Sequence, residues 1–386
     1  MARQARALLV LALASLAPGC SSWQRVETRE RWTLYAKPGE TLDAAKFERA
    51  LAPAFKAVEA RLGPFEDRVR VHAWTSHDDP SDAPKLSAEG AERVEDVPGI
   101  GKARVRAYHV TGGATPFATS GVFLGTAEVG TVVHELVHAR LAELPQRVPL
   151  WFEEGLASLW GDGAFYGGEW IVDGLACWPA RVLRDEPIGD EELSRVMQLT
   201  ASQEYSAREN LLVHFVGWAL VFDLSRELPE ASHTEWLAHF RAEARKNSLL
   251  AETRTRIARS ISPETIDAWL ARLGDPSPGV RLATAKGMWK LRSQKAVDAL
   301  VAAMPKESDA QVRLAIGLDA LLAVGEMRVG RRTWAQLWRK VVPALGEVIV
   351  EDEIERAALE QFLSGMRGRG GRTQEGLDGL ARYWEE

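Results

Sequence analysis

The chain has 386 residues, 46% of them hydrophobic and 26% charged. That composition is globular, and the length exceeds what one core serves, so two or three domains are expected. A net charge of −6 and a pI of about 5.9 leave no overall basic field, and no basic patch with interleaved aromatics is present, which excludes nucleic acid as the main partner. The 14 tryptophans are many for this length and are read as core and domain-interface packing.

Arg3 and Arg6 precede an apolar stretch from Ala7 to Leu16 and then small residues. This is the layout of a secretory signal peptide over residues 1–19, too short to span a bilayer. The stretch closes on Ala17-Pro18-Gly19-Cys20, which resembles the lipobox of bacterial lipoproteins, although Leu16 stands one position further from the cysteine than usual. The resemblance implies export across the inner membrane and a lipid anchor at Cys20. Ser21 and Ser22, with no Asp directly after the cysteine, lean toward the outer membrane facing the periplasm. Cys177 is the other cysteine, so a lipidated Cys20 leaves it no disulfide partner in the chain.

Residues 20–30 read as a linker. Residues 31–37 alternate and predict a strand. Residues 41–63 have helical periodicity, with Thr41 as N-cap and Gly63 as the stop. Residues 68–76 alternate again, and the Asp- and Pro-rich stretch 78–84 predicts a loop. Segments 103–110 and 121–125 are further strand candidates. Between loop and strand, Val97-Pro98-Gly99-Ile100-Gly101-Lys102 looks like the hairpin of a helix-hairpin-helix DNA-binding motif. The negative charge and exported context make it a Pro-Gly turn instead. From Ala127 to about Leu270 the pattern is almost wholly helical. Strands first and helices after predict an α+β unit (31–126) leading into a helical one (127–272).

Residues 274–325 repeat internally: Val280-Arg281-Leu282-Ala283 returns as Val312-Arg313-Leu314-Ala315, each copy behind a short acidic or Pro-containing turn. A fixed period with paired amphipathic helices signals a helical solenoid. It resembles HEAT-type repeats and places an all-α repeat domain at 273–386. The helices from about Thr333 to Trp384 are less regular and read as degenerate or capping repeats.

The chemistry begins at His134-Glu135-Leu136-Val137-His138. On a helix the two histidines stand about 40° apart, so both imidazoles reach one ion, and Glu135 at the edge of that face reaches a water without being a ligand. Val132, Val133, Leu136 and Val137 supply buried sides, and Thr126 is the expected N-cap. With 8 histidines in the chain, the pattern arises by chance on the order of 1% of the time. Zinc needs a third protein ligand. Helical residues 150–160 offer two adjacent acids, Glu153 and Glu154, and period alone does not choose between them. The stripe through Glu154 (Leu150, Ala157, Ser158, Gly161) has small members that let a neighbouring helix approach, which mildly favours Glu154.

The two segments together resemble the gluzincin zinc peptidases, in particular the bacterial peptidase-MA-like domain, whose second helix reads W-[LF]-x-E-G-[LIF]-A. The resemblance covers about residues 30–260. It implies a zincin-like fold with a small mixed sheet on the active-site helix and helices after it. It implies Zn²⁺ on His134, His138 and Glu154, with Glu153 on the variable position, solvated or in the outer shell. It also implies hydrolysis of a peptide or protein substrate by a metal-activated water, with Glu135 as general base. The oxyanion donor is expected from a later helix: Tyr205 first, His214 second and Tyr166 third. Residues 120–127 are expected as the edge strand that pairs with substrate backbone. Two features depart from the clan. The Gly-x-Met-Glu-Asn motif of its aminopeptidases is absent, and Ser158 stands where thermolysin-type enzymes have an aspartate. The rival reading is an envelope scaffold that binds a protein partner on its repeats, with a structural or vestigial zinc site.

Overall fold

The computed structural model describes residues 24–36, 41–73, 95–97, 101–103, 107–110, 121–124, 127–145, 147–172, 174–200 and 206–326. Residues 1–23 with the expected signal peptide and Cys20, the expected loop 78–84, Thr126, Tyr205 and 327–386 with the expected later repeats lie outside the described residues.

Strand β1 (Gln24–Thr28) forms where a linker was expected, and pairs antiparallel with β2 (Trp32–Ala36). Helix α1 (Ala44–Leu62) follows. Its cap is Asp43 rather than Thr41: the Asp43 carboxylate accepts from the Lys46 N–H, satisfying a donor that the first turn leaves open. Gly63 closes it with φ 78°, as the sequence indicates. Phe47, Leu51, Phe55, Val58 and Leu62 fall on one side at helical spacing and are all buried. In β3 (Val69–Ala73), Val69, Val71 and Ala73 are buried while Arg70 is exposed.

Short strands β4 (Glu95–Val97) and β5 (Gly101–Ala103) pair antiparallel. The Pro98-Gly99 read as a turn falls between these two strands and lies outside the described residues. Strands β6 (Ala107–Val110) and β7 (Gly121–Leu124) complete a five-stranded sheet of order β1-β2-β3-β7-β6. The β2–β3 and β3–β7 pairings are parallel and the outer two antiparallel. The expected edge strand at 120–127 is thus internal, because β6 pairs along its outer side, and β6 is the edge next to it.

Helix α2 (Val129–Glu143) packs on α1 and on β6–β7, and helix α3 (Leu150–Gly161) packs on α2. Glu128 is the N-cap of α2. A hairpin of β8 (Gly163–Tyr166) and β9 (Glu169–Val172) interrupts the region read as helical. Helices α4 (Cys177–Asp185), α5 (Asp190–Gln198) and α6 (Ala207–Glu227) follow. Helix α6 begins with a reciprocal cap: Ser206 Oγ accepts from the Glu209 N–H, and the Glu209 carboxylate accepts from the Ser206 N–H. No helix among the described residues is long and apolar enough to cross a membrane.

Then come α7 (His233–Asn247), α8 (Leu249–Ser260), α9 (Pro263–Leu270), α10 (Pro278–Ala285), α11 (Gln294–Ala303) and α12 (Ala310–Glu326). The sequence repeat is a repeat of structure. Ser277 caps α10 through the Val280 N–H, and Asp309 accepts from the Val312 N–H at the start of α12. Arg281 donates to the Asp275 carbonyl, and Arg313 donates to the Glu307 carbonyl, so both arginines tie down the turn before their helix. Arg281 also forks onto the Glu307 carboxylate at 2.6 and 2.8 Å, joining one repeat to the next. The described residues are mostly helical, with a small mixed sheet.

Candidate metal centre

Two close helix crossings build the site. A Cβ on Gly130 of α2 would lie 2.4 Å from the Gly161 carbonyl of α3, and one on Gly161 would lie 3.2 Å from the His134 Cβ. A Cβ on Gly155 of α3 would lie 2.4 Å from the Gly217 carbonyl of α6, and one on Gly217 would lie 2.1 Å from the Trp151 carbonyl. Backbone therefore meets backbone at both crossings. Glu154, immediately before Gly155, is carried toward both α2 and α6. Gly161 is one of the small residues that favour Glu154 in the sequence.

His134 and His138, one turn apart on α2, bring their Nε2 atoms to 3.2 Å. Glu154 Oε2 lies 3.5 Å from His134 Nε2 and 3.3 Å from His138 Nε2. The three atoms form a nearly equilateral triangle. Tetrahedral coordination with bonds of about 2.0–2.1 Å has donor separations of roughly 3.3–3.4 Å. The chemistry agrees with the spacing: Glu154 Oε2 is buried with imidazole nitrogens at 2.9, 3.3 and 3.5 Å around it. Three donor atoms this close together in a buried place suit a shared cation.

Glu153, the neighbouring acid, takes a different partner. Its Oε1 lies 2.8 Å from His138 Nδ1. A proton on Nδ1 is donated there, which fixes the ring with Nε2 facing the triangle. Both adjacent acids thus face His138, Glu153 at Nδ1 and Glu154 at Nε2.

His214, from α6, is a fourth member that local sequence signals do not fix. Its Nδ1 donates to the Asn210 carbonyl at 2.7 Å, and its Nε2 lies 2.9 Å from Glu154 Oε2. The ring stacks on His134 with centroids 5.6 Å apart and planes 5° off parallel. His134, Glu154 and His214 also form a set whose donor atoms all lie within 4.8 Å of one another. Tyr166 is turned to other work: its hydroxyl donates to Asp309 at 2.6 Å, across to the repeats.

Glu135 is 5% exposed, and burial raises its carboxyl to about 7 against the pull of His138. Burial lowers His134 to about 4. Burial also disfavours charge on His138 and on Glu154, but their mutual attraction wins. His138 is held well above its ordinary value by Glu154 and Glu153, and Glu154 well below its own by His214 and His138. His214 is raised as well, because Glu154 outweighs burial there.

A family model of HEAT repeats matches residues 238–328. No curated protein and no solved structure matches the chain. The matched span runs from within α7 to just beyond α12 and includes the repeated Val-Arg-Leu-Ala segments. It contains none of His134, His138, Glu153, Glu154 and His214, so the likeness to HEAT repeats concerns the C-terminal helices and not the cluster.

Proposed function

We propose that the protein is a zinc-dependent peptidase of gluzincin type, anchored in the cell envelope by lipid at Cys20. His134, His138 and Glu154 hold the ion, and the substrate is a peptide or protein. The observation that carries this reading is the triangle of 3.2, 3.3 and 3.5 Å among two imidazoles and a carboxylate, with buried Glu135 next in sequence to one of them. Zinc held there supplies Lewis acidity, polarising a carbonyl and lowering the pKa of water toward ~7. Glu135 accepts the proton of the attacking water as its oxygen bonds to the carbonyl carbon. The same carboxyl then passes that proton to the amide nitrogen as the carbon–nitrogen bond breaks. The oxyanion that develops needs a donor. His214 is the candidate among the described residues; Tyr205, which the sequence favours, lies outside them. Glu153 keeps the His138 ring in the tautomer and orientation that presents Nε2.

The test is cleavage of a broad peptide library with and without chelator, by wild type and Glu135→Gln. The variant is expected to retain zinc and lose hydrolysis. Equal cleavage by both proteins rejects the mechanism.

A second reading is favoured by His214. Four protein groups around one point would close the coordination, as in structural zinc sites, and leave the HEAT-like repeats as the working part of an envelope scaffold. Stoichiometric zinc with no cleavage of any library supports the scaffold.

A further inference from the structure

A cavity of about 350 Å³ opens at the C-terminal ends of α3 and α6, beyond the halves of those helices that carry Glu154 and His214. Its walls include Trp160, Phe222, Trp236 and Trp269, each buried in the fold. The size is that of a small-molecule site, and indole and phenyl walls favour a flat apolar body. Two cationic side chains, Arg226 and Arg272, line the same space. Arg226 is exposed, lies over the Phe222 ring at 5.7 Å, and donates Nη1 to Thr265 Oγ1 at 2.6 Å. Among the described residues no carboxylate pairs with it. Arginine is the side chain suited to forked recognition of a carboxylate, and such charge-assisted bonds are the strong ones.

We infer that this cavity binds a small aromatic carboxylate, with the ring between the tryptophans and the anion on Arg226. The occupant is a free aromatic acid or the C-terminal aromatic residue of a peptide, which share that chemistry. The inference does not depend on the zinc reading.

The experiment titrates the purified full-length protein with 3-phenylpropionate and with N-acetylphenylalanine, following tryptophan fluorescence and heat. The neutral isostere 3-phenylpropanol and the alkyl acid octanoate serve as competitors in class. Saturation is expected at concentrations on the order of millimolar or below. Arg226→Gln keeps a donor for Thr265 but removes the charge, and is expected to weaken binding about tenfold or more. Ala268→Phe, at an exposed position lining the cavity, fills it and is expected to abolish binding. Circular dichroism and melting check that both variants fold, and neither touches the histidine cluster. Saturation by the free acid alone identifies a free ligand, and saturation by N-acetylphenylalanine points to peptide C-termini. Absence of saturation by either overturns the inference. So does binding of the alcohol as tight as the acid, tighter binding of octanoate, or affinity unchanged in both variants.

Discussion

Gly155 of α3 and Gly217 of α6 meet backbone to backbone, and a methyl group on either would stand 2.4 Å or less from a carbonyl oxygen of the other helix. This contact sets the distance at which Glu154 faces His214. Gly217→Ala is expected to push the helices apart and lower stability by about 1–3 kcal/mol, the usual cost of overpacking. It is also expected to weaken metal retention, because the separation of Glu154 from α6 grows. Thermal unfolding and metal analysis of the purified variant check both. A variant as stable as wild type that retains its metal contradicts the account.

Glu153 is expected to govern zinc affinity without being a ligand. Glu153→Ala removes the 2.8 Å contact on His138 Nδ1 and is expected to lower affinity about 10–100-fold. Glu153→Gln, which still accepts the Nδ1 proton through its amide oxygen, is expected to fall between. Competition with a chromogenic chelator measures this directly. Unchanged affinity in both variants would mean that the contact is incidental.

His214 separates an oxyanion donor from a fourth ligand. As a donor, its loss in His214→Ala lowers kcat by about 10²–10³ with zinc content intact. As a ligand, its loss lowers zinc affinity. Steady-state kinetics set beside metal titration on the same preparation tell the two apart.

Arg281 joins two repeats through Glu307, whose side chain is 3% exposed. Arg281→Ala leaves that carboxylate buried without its cation and the Asp275 carbonyl without its donor. A loss of about 3–5 kcal/mol is expected. The double variant Arg281→Met with Glu307→Leu is expected to recover much of it, since no charge then remains buried. Denaturant unfolding of the three proteins gives the comparison.

Asp319 on α12 is buried, which raises its carboxyl to about 7 despite backbone donors at Trp289 and Gly287 and the charges of Lys290 and Lys286. An unfolded aspartate titrates near 3.9. Between these values the folded chain holds a proton that the unfolded chain has released. The contribution of this group is therefore fully present below about pH 4 and is lost as pH rises to about 7, by at most about 1.4 kcal/mol per pH unit. Asp319→Asn is expected to remove that slope. The difference in melting temperature between variant and wild type should widen in favour of Asn from pH 5 to pH 7 and then level off.

The helix carrying His134 and His138 is legible in the sequence because helical period alone brings both rings to one side. Period alone does not choose between Glu153 and Glu154, because adjacent residues straddle the same boundary, and the small residues along the Glu154 stripe favour it only mildly. What separates them is the approach of α2, and each acid ends on a different nitrogen of His138. His214 reaches the cluster from a helix remote in sequence, through a glycine crossing that no local pattern announces. The β8–β9 hairpin carries a readable signal within the stretch of helical pattern. Gly167 and Gly168, with φ of 60° and 84°, are the two residues of a tight turn flanked by aromatics. The strand at 24–28 owes its existence to pairing with β2, and the cap of α1 at Asp43 rather than Thr41 shows how little a sequence fixes a helix end.

The indole of Trp170 in β9 donates to the Trp160 carbonyl at the end of α3 and lies against Gly130 at the start of α2. From the same hairpin, Tyr166 holds Asp309. Anything that tugs on the solenoid thus pulls on a wedge driven between the two helices that carry the imidazoles and the carboxylate. A load placed on α12 at Asp309 would reach the helices of the histidine cluster through two hydrogen bonds.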